Sequence, residues 1–417
     1  MKAHVRYFWL LVIILISCSG CADKIEIEEE GFVLTLGIDL AEDGEGLAIT
    51  YEIADPMAGN PGSDPSREEV QAITLNAPDI LSARDLTNAS ETRNVNFYHT
   101  KAIVFSEELA RSERFLEVIE MLTRDRQIRR TMYFIISKER AEEFIRNNKP
   151  ALEASPHKYF DFMSRRWKRN ALVPDTTLHN FLHETYTEAG LALGIYTTTN
   201  VNEGTDESEN SENEDNFLPG EIEKKGGTTI QTIGAAVFKN GKMIGTMTGE
   251  EQRITAILKE DVKPSEILFT FPDPLKENTR ITGKATNIRT KVNINVDEST
   301  PKVYVQEWME IKILSLPSMI DYVEDMNKQK ILIRSLEERF TSKALRFINR
   351  TQTEFEAEPF NWASTVRSKF FTYQEYVTYD WMQKYKDADV QVEFIVTIDD
   401  MGKMLKPHKI SKENEGE

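Results

Sequence analysis

The sequence predicts a multidomain α+β protein, mixed α/β in its ordering, with antiparallel sheets packed by long helices, most clearly in the C-terminal half. Three observations carry that prediction. Short apolar runs with strand-like alternation recur between stretches of helical period from Phe32 onward. An Asn-Gly pair, Asn240-Gly241, stands between two β-like runs as a hairpin signal. Val323, Met326, Ile333, Leu336, Phe340, Ala344 and Phe347 keep one apolar helical face for about seven turns. At 417 residues, 40 % of them hydrophobic, the chain can bury a core in each of two or three domains.

The elements follow in order. "FVLTLGIDL" (Phe32 to Leu40) and Leu47 to Ile53 alternate as paired strands around Gly44 and Gly46. Residues 55–66, rich in Pro, Gly, Asn and Ser, read as a surface loop. After Pro78, Ile80, Leu81, Ala83, Leu86 and Ala89 recur at helical spacing, and Ala102 to Phe105 is a strand. Ser106 followed by glutamates starts a helix with Leu116, Ile119 and Leu122 on one face. Thr131 to Ile136 is a further strand and Lys138 to Asn147 a short helix. Residues 151–188 read as irregular helix broken at Pro156 and Pro174. Glu203 to Asp215 then holds seven acidic residues and no apolar ones, a solvated linker or loop.

Beyond it, "TTIQTIGAAVF" and "KMIGTMTG" form the Asn-Gly hairpin. Strands follow at Ile267 to Phe271, near Val292 to Val296, and at Val303 to Leu314. Ser318 is the expected cap of the long helix. An aromatic-rich helical stretch follows Pro359, and Val390 to Ile398 closes as a strand. The expected organisation is a signal peptide at 1–20, an N-terminal α/β module at 21–200 that subdivides near 150, the acidic segment at 201–226, a C-terminal α+β module at 227–406, and a polar tail at 407–417.

The N-terminus is a different kind of sequence. A short basic start precedes ten apolar residues, Tyr7 to Ile16, and small residues from Ser17 to Gly20. Ten helical residues rise roughly 15 Å, about half a bilayer core, so this is the pattern of a secretory signal rather than of a membrane span. The formal net charge of −18 repels nucleic acid, so no nucleic-acid partner is expected.

The only two cysteines, Cys18 and Cys21, sit against the end of that apolar run. A thioredoxin-like pair opens a helix within a βαβ unit, and a zinc site needs about four ligands; neither context exists here. Lipid attachment to the cysteine of an exported protein remains, since two acyl chains hold a hydrophilic protein on a bilayer. Cys18 follows aliphatic residues and a serine, which the local pattern favours. Cys21 follows the preferred glycine.

No catalytic signature is found: the chain has no G-x-S-x-G elbow, P-loop or G-x-G-x-x-G. His179 and His183 share a helical face, but Asn180 stands where a zinc protease needs its glutamate, so they read as helix surface. His99, at the entry to a strand, reads as structural. The cluster Arg124, Arg126, Arg129 and Arg130 has two readings: a solvated helix end pairing with local carboxylates, or a docking patch for an acidic partner.

Several stretches together resemble the Ger(x)C family, the C-subunit lipoproteins of bacterial spore germinant receptors. "GCADKIE" (Gly20 to Glu26) and "GID" (Gly37 to Asp39) are similar to the family's mature start, with Ala22 where tryptophan is common. His99, Lys101, Ile103, Glu107, Glu108, Leu109, Ala110, Arg111, Arg124, Asp125, Ile128 and Arg129 resemble its middle motif. "GAAVFKNGKMIG" (Gly234 to Gly245) and the run from Trp381 to Gly402 resemble its C-terminal half. "TEFEAEPFNW" lacks the aspartate and glycine-rich turn that family members often carry there.

The resemblance implies a mixed α/β protein of about three domains, not an enzyme and without cofactor or metal. It implies lipidation at Cys21, with Cys18 the alternative. It also implies a place on the outer face of the cell membrane or inner spore membrane, beside integral-membrane A- and B-type subunits that sense small nutrients. The rival expectations are an exported envelope hydrolase using His99 or His183 and a solute-binding lipoprotein. The antiparallel second half argues against the latter.

Overall fold

A computed structural model describes residues 5–9, 26, 29–54, 70–149, 156–187, 190–201, 215–260 and 263–401. Its first half is β1 (Glu30–Leu40), β2 (Leu47–Ala54), β3 (Val70–Ala77), α1 (Ile80–Asn88), β4 (Asn94–Asn96), β5 (Ala102–Ser106), α2 (Glu107–Arg111), α3 (Phe115–Arg124), β6 (Tyr133–Ser137), α4 (Ala141–Asn147), α5 (Pro156–Asn170), α6 (Leu178–Tyr186) and β7 (Ala192–Thr198). The second is β8 (Gln231–Lys239), β9 (Lys242–Met247), α7 (Gly249–Leu258), β10 (Ile267–Pro272), β11 (Arg280–Asn295), β12 (Lys302–Ser315), α8 (Met326–Arg350), a π-helical turn (Thr351–Phe355), α9 (Trp362–Arg367), α10 (Tyr373–Tyr379), α11 (Trp381–Tyr385) and β13 (Asp389–Asp400). The fold is mixed α/β with two sheets.

The larger sheet has nine strands in the order β3-β2-β1-β5-β6-β7-β8-β9, with β4 paired to β1. Its centre, β1-β5-β6-β7, is parallel, which requires crossovers: the chain from β1 to β5 returns through α1, and α2 to α6 supply the other two. Both margins are antiparallel hairpins. One face packs Leu36, Ile38, Ile49, Phe105 and Phe134 against α3 and α6 through Phe115 and Phe181. The other packs Val104, Ile135 and Ile195 against Phe144, Phe160 and Trp167 of α4 and α5.

The Gly-Ile-Asp stretch shows why these residues stand where they do. A Cβ on Gly37 would lie 2.6 Å from Ile145 Cδ1, so glycine lets α4 settle on the sheet. Asp39 then accepts the amides of Ala141 at 2.7 Å and Glu142 at 3.1 Å, holding the otherwise unbonded start of α4.

The smaller sheet is β10-β11-β12-β13, and α8 lies on it through Leu332, Leu336, Ala344 and Phe347. Three expectations change here. The final strand runs parallel to β12, because the chain between them returns through α8 to α11 to the starting end. The cap of α8 is Asp325, which accepts from the amides of Asn327 and Lys328, and not Ser318. The helix expected from Ser106 is two, because Ser112 leaves helical geometry at ψ 157° between α2 and α3.

The Asn-Gly hairpin is present, with Asn240 and Gly241 at φ 53° and 76°. It extends the first sheet, however, so the expected start of a second module at 227 is not a boundary between sheets. Leu193, Ala235 and Val237 of this margin share a core with Ile257, Ile281 and Phe347, which joins the two sheets through α7. Of the acidic linker, Asp215 is described: it binds Arg253 of α7 at 2.6 Å. Strands β3 and β7 and helix α7 were not legible from the pattern.

Candidate functional site

The lipidation residues expected at Cys21 or Cys18 lie outside the described residues. The structure does fix where the chain enters the fold. Because β1, β5, β6 and β7 are parallel, all four begin at one edge of the large sheet, and Glu30 is the first residue of β1 there.

The arginine cluster lies at the same edge. Asn96 Nδ2 donates to Glu30 at 2.6 Å, Phe97 N donates to Gln127 Oε1 at 3.2 Å, and Gln127 sits within the arginine run. Ile128 is buried beneath it, and the Arg130 carbonyl accepts the His179 amide at 2.8 Å, so the loop is fixed by its backbone and its apolar residue. The four side chains Arg124, Arg126, Arg129 and Arg130 are all exposed. None forms an ion pair among the described residues, since Asp125 turns to Arg84 at 3.1 Å instead.

Further along the edge, α10 buries none of its residues. Tyr373 is 64 % exposed and the preceding Phe371 99 %. A capping box between Thr372 and Glu375 and stacking of Arg367 over Tyr373 and Tyr376 keep this aromatic helix formed on the surface.

The histidines are not brought together. His99 is exposed and packs edge-on against Phe32 at 4.8 Å between ring centres. His179 and His183 lie parallel, 6.3 Å apart, on the exposed face of α6, while Leu178, Phe181 and Leu182 face the core. Among the described residues, no group of three His, Cys, Asp or Glu is placed to hold a metal ion. No helix among them is long and apolar enough to cross a membrane.

Three buried carboxylates escaped sequence reasoning, because nothing local marks a glutamate as interior. Glu358 accepts the amides of Phe360 at 2.6 Å and Ala363 at 2.7 Å, and its carbonyl accepts Leu191 N at 3.0 Å, tying the turn before α9 to the start of β7. Burial raises its pKa against those bonds. Burial raises Glu52 to about 7. Glu307 rises to about 8, also by burial, with Lys263 3.9 Å away opposing the shift.

Two family models match the chain in tandem: the spore germination protein N-terminal domain at residues 23–198, and the spore germination B3/GerAC-like C-terminal domain at 233–402. The chain is 22 % identical to the putative spore germination protein YfkR of Bacillus subtilis (strain 168), covering 97 % of this chain and 99 % of the relative. It is 21 % identical to the spore germination protein GerQC of Bacillus cereus, covering 94 % and 98 %. Its fold is similar to the crystal structure of the GerBC protein, with a TM-score of 0.51 and 14 % identity over 87 % of this chain and 96 % of that one.

Proposed function

The chain belongs to the GerAC family of spore germination proteins, the germinant-receptor C subunits, and we propose that it works as a lipid-anchored, non-enzymatic receptor subunit. The two domain models, which between them reach from residue 23 to 402, carry this reading. In it, the signal segment is removed, Cys21 takes the diacylglyceryl group with Cys18 as the alternative, and the protein resides on the outer face of the cell membrane or inner spore membrane.

The docking surface in this reading is the edge from which the anchor leaves. Arg124, Arg126, Arg129 and Arg130 keep their charges unpaired at the side nearest the bilayer, where acidic loops of integral-membrane A- and B-type subunits would meet them. The rest of this acidic protein repels such loops, so the patch also sets orientation. Unpaired exposed guanidiniums act mostly on encounter and are screened over about 8 Å at physiological salt.

The test has two arms. Cys21→Ala is expected to move the protein from the membrane to the soluble fraction of disrupted spores and to slow nutrient-triggered germination; unchanged membrane retention sinks anchoring at Cys21. Arg126→Glu with Arg129→Glu is expected to leave membrane retention intact while lowering co-purification of the integral subunits severalfold. Undiminished co-purification removes the docking assignment and leaves the anchor untouched.

A further inference from the structure

Phe371 stands 99 % exposed, and Tyr373, two residues on, is the next most exposed large hydrophobic side chain described beyond the N-terminal segment. A slack loop tip would account for such exposure, but this one is fixed from below. Glu375 accepts the amides of Phe371 at 3.1 Å and Thr372 at 3.3 Å, and Arg367 donates to the Phe370 carbonyl at 3.2 Å. Phe370 turns inward, its ring 5.1 Å from that of Tyr379. The fold holds Phe371 out.

This turn and α10 stand beside the start of β7. Tyr373, Tyr376 and Val377 line a groove of about 410 Å³ together with Gly190, just before β7, and with Lys239 and Asn240 of the hairpin that flanks it. Since β7 runs parallel to β1, β5 and β6, this is the edge at which Glu30 begins β1.

The local charge runs against that of the whole chain. From Arg367 to Lys386 there are four cations and two carboxylates, in a protein of net charge −18. Both carboxylates accept from backbone amides, Glu375 as above and Asp380 from Gln383 N at 3.3 Å. Lys369 is exposed, and its ammonium has no partner among the described residues. A bare phenylalanine, with a free lysine two residues before it and a tyrosine two after, is the composition that settles at a bilayer surface. The ring enters the acyl boundary, the phenol stays at headgroup level and the ammonium reaches phosphate. A protein partner would need a pocket shaped to Phe371, and lipid needs none.

We infer that residues 369–373 and α10 form a bilayer-contact surface, with Phe371 inserted among the lipids. The inference rests on the lipid-anchored reading above: attachment at one point brings the protein to a membrane without setting which side faces it, and a second contact at this edge does so. Even a whole myristoyl chain binds a bilayer only marginally, so one phenylalanine and one lysine supply orientation and not retention.

Photolabelling of the full chain tests this. The protein is reconstituted into vesicles of phosphatidylcholine and phosphatidylglycerol that carry a diazirine on an acyl chain, and labelled residues are mapped by mass spectrometry. Residues 370–377 are expected to be labelled at least fivefold above the peptide carrying Leu268, an exposed apolar residue of β10. Phe371→Ser, which removes a side chain lying outside the fold, is expected to lower the label over 372–377 at least threefold and to leave that on the N-terminal segment unchanged. Label on the N-terminal segment with none on 370–377 overturns the inference and leaves the anchor standing. Absence of label at both overturns the two together. Label over 372–377 that Phe371→Ser does not reduce overturns insertion by Phe371.

Discussion

Glu52 shows how a single residue can set the pH response of the fold. It stands on β2 between Thr35 and Ala72, 4 % exposed, with Oε2 unbonded among the described residues. Its pKa rises from the ordinary carboxylate range to about 7, so between about 4.5 and 7 the folded chain binds more protons than the unfolded one. Stability from this group is therefore fully present below about 4.5 and is lost as the pH climbs through 7. The loss is on the order of 3 kcal/mol. Denaturant melts of Glu52→Gln at pH 5 and pH 7 are expected to differ by much less than those of the native chain. An equal slope in both proteins would place the pH response elsewhere. Glu307 acts with the same sign up to about 8, against the pull of Lys263.

Helix α8 separates capping from burial at the scale of an element. Asp325 accepts from Asn327 N at 3.1 Å and Lys328 N at 3.3 Å, so Asp325→Ala should cost about 1 kcal/mol. Ser318, whose Oγ has no partner among the described residues, does not cap α8, and Ser318→Ala should cost well under that in the same denaturant melts. Leu336 is fully buried between α8 and the small sheet, and Leu336→Ala should cost about 2–5 kcal/mol. A Ser318→Ala loss as large as that of Asp325→Ala would contradict the observed cap. The apolar stripe of α8 was plain in the sequence from Ile333 to Phe347 because a helix repeats its buried face every three to four residues; its expected first members fail, since Val323 precedes the helix and Met326 is 58 % exposed. Its start was not, because Ser318 and Asp325 are both good caps and only the path of residues 316–325 decides between them.

Over the whole molecule, α7 is the joint, and Arg253 is its polar centre. Its guanidinium binds Asp215 at 2.6 Å, the Asn170 carbonyl at 2.9 Å and the Leu268 carbonyl at 2.8 Å, joining three separate stretches of chain at 8 % exposure. Arg253→Ala leaves a partly buried carboxylate and two carbonyls without their donor, and should cost about 2–4 kcal/mol in a denaturant melt. A cost below about 1 kcal/mol would mean that apolar contact alone holds the halves. The sequence by itself determined what depends on local pattern: the mixed α/β class, the signal-like start, both hairpins, the long helix and the family motifs. Tertiary structure alone decided which sheet the Asn240-Gly241 hairpin joins, since a turn signal fixes two strands to each other but not to a third. It also decided the parallel pairing of β13, and that the exposed arginines lie beside the entry of β1. Strand order, partner choice and the burial of Glu52, Glu307 and Glu358 arise from contacts between residues far apart in the chain, and no local period records them.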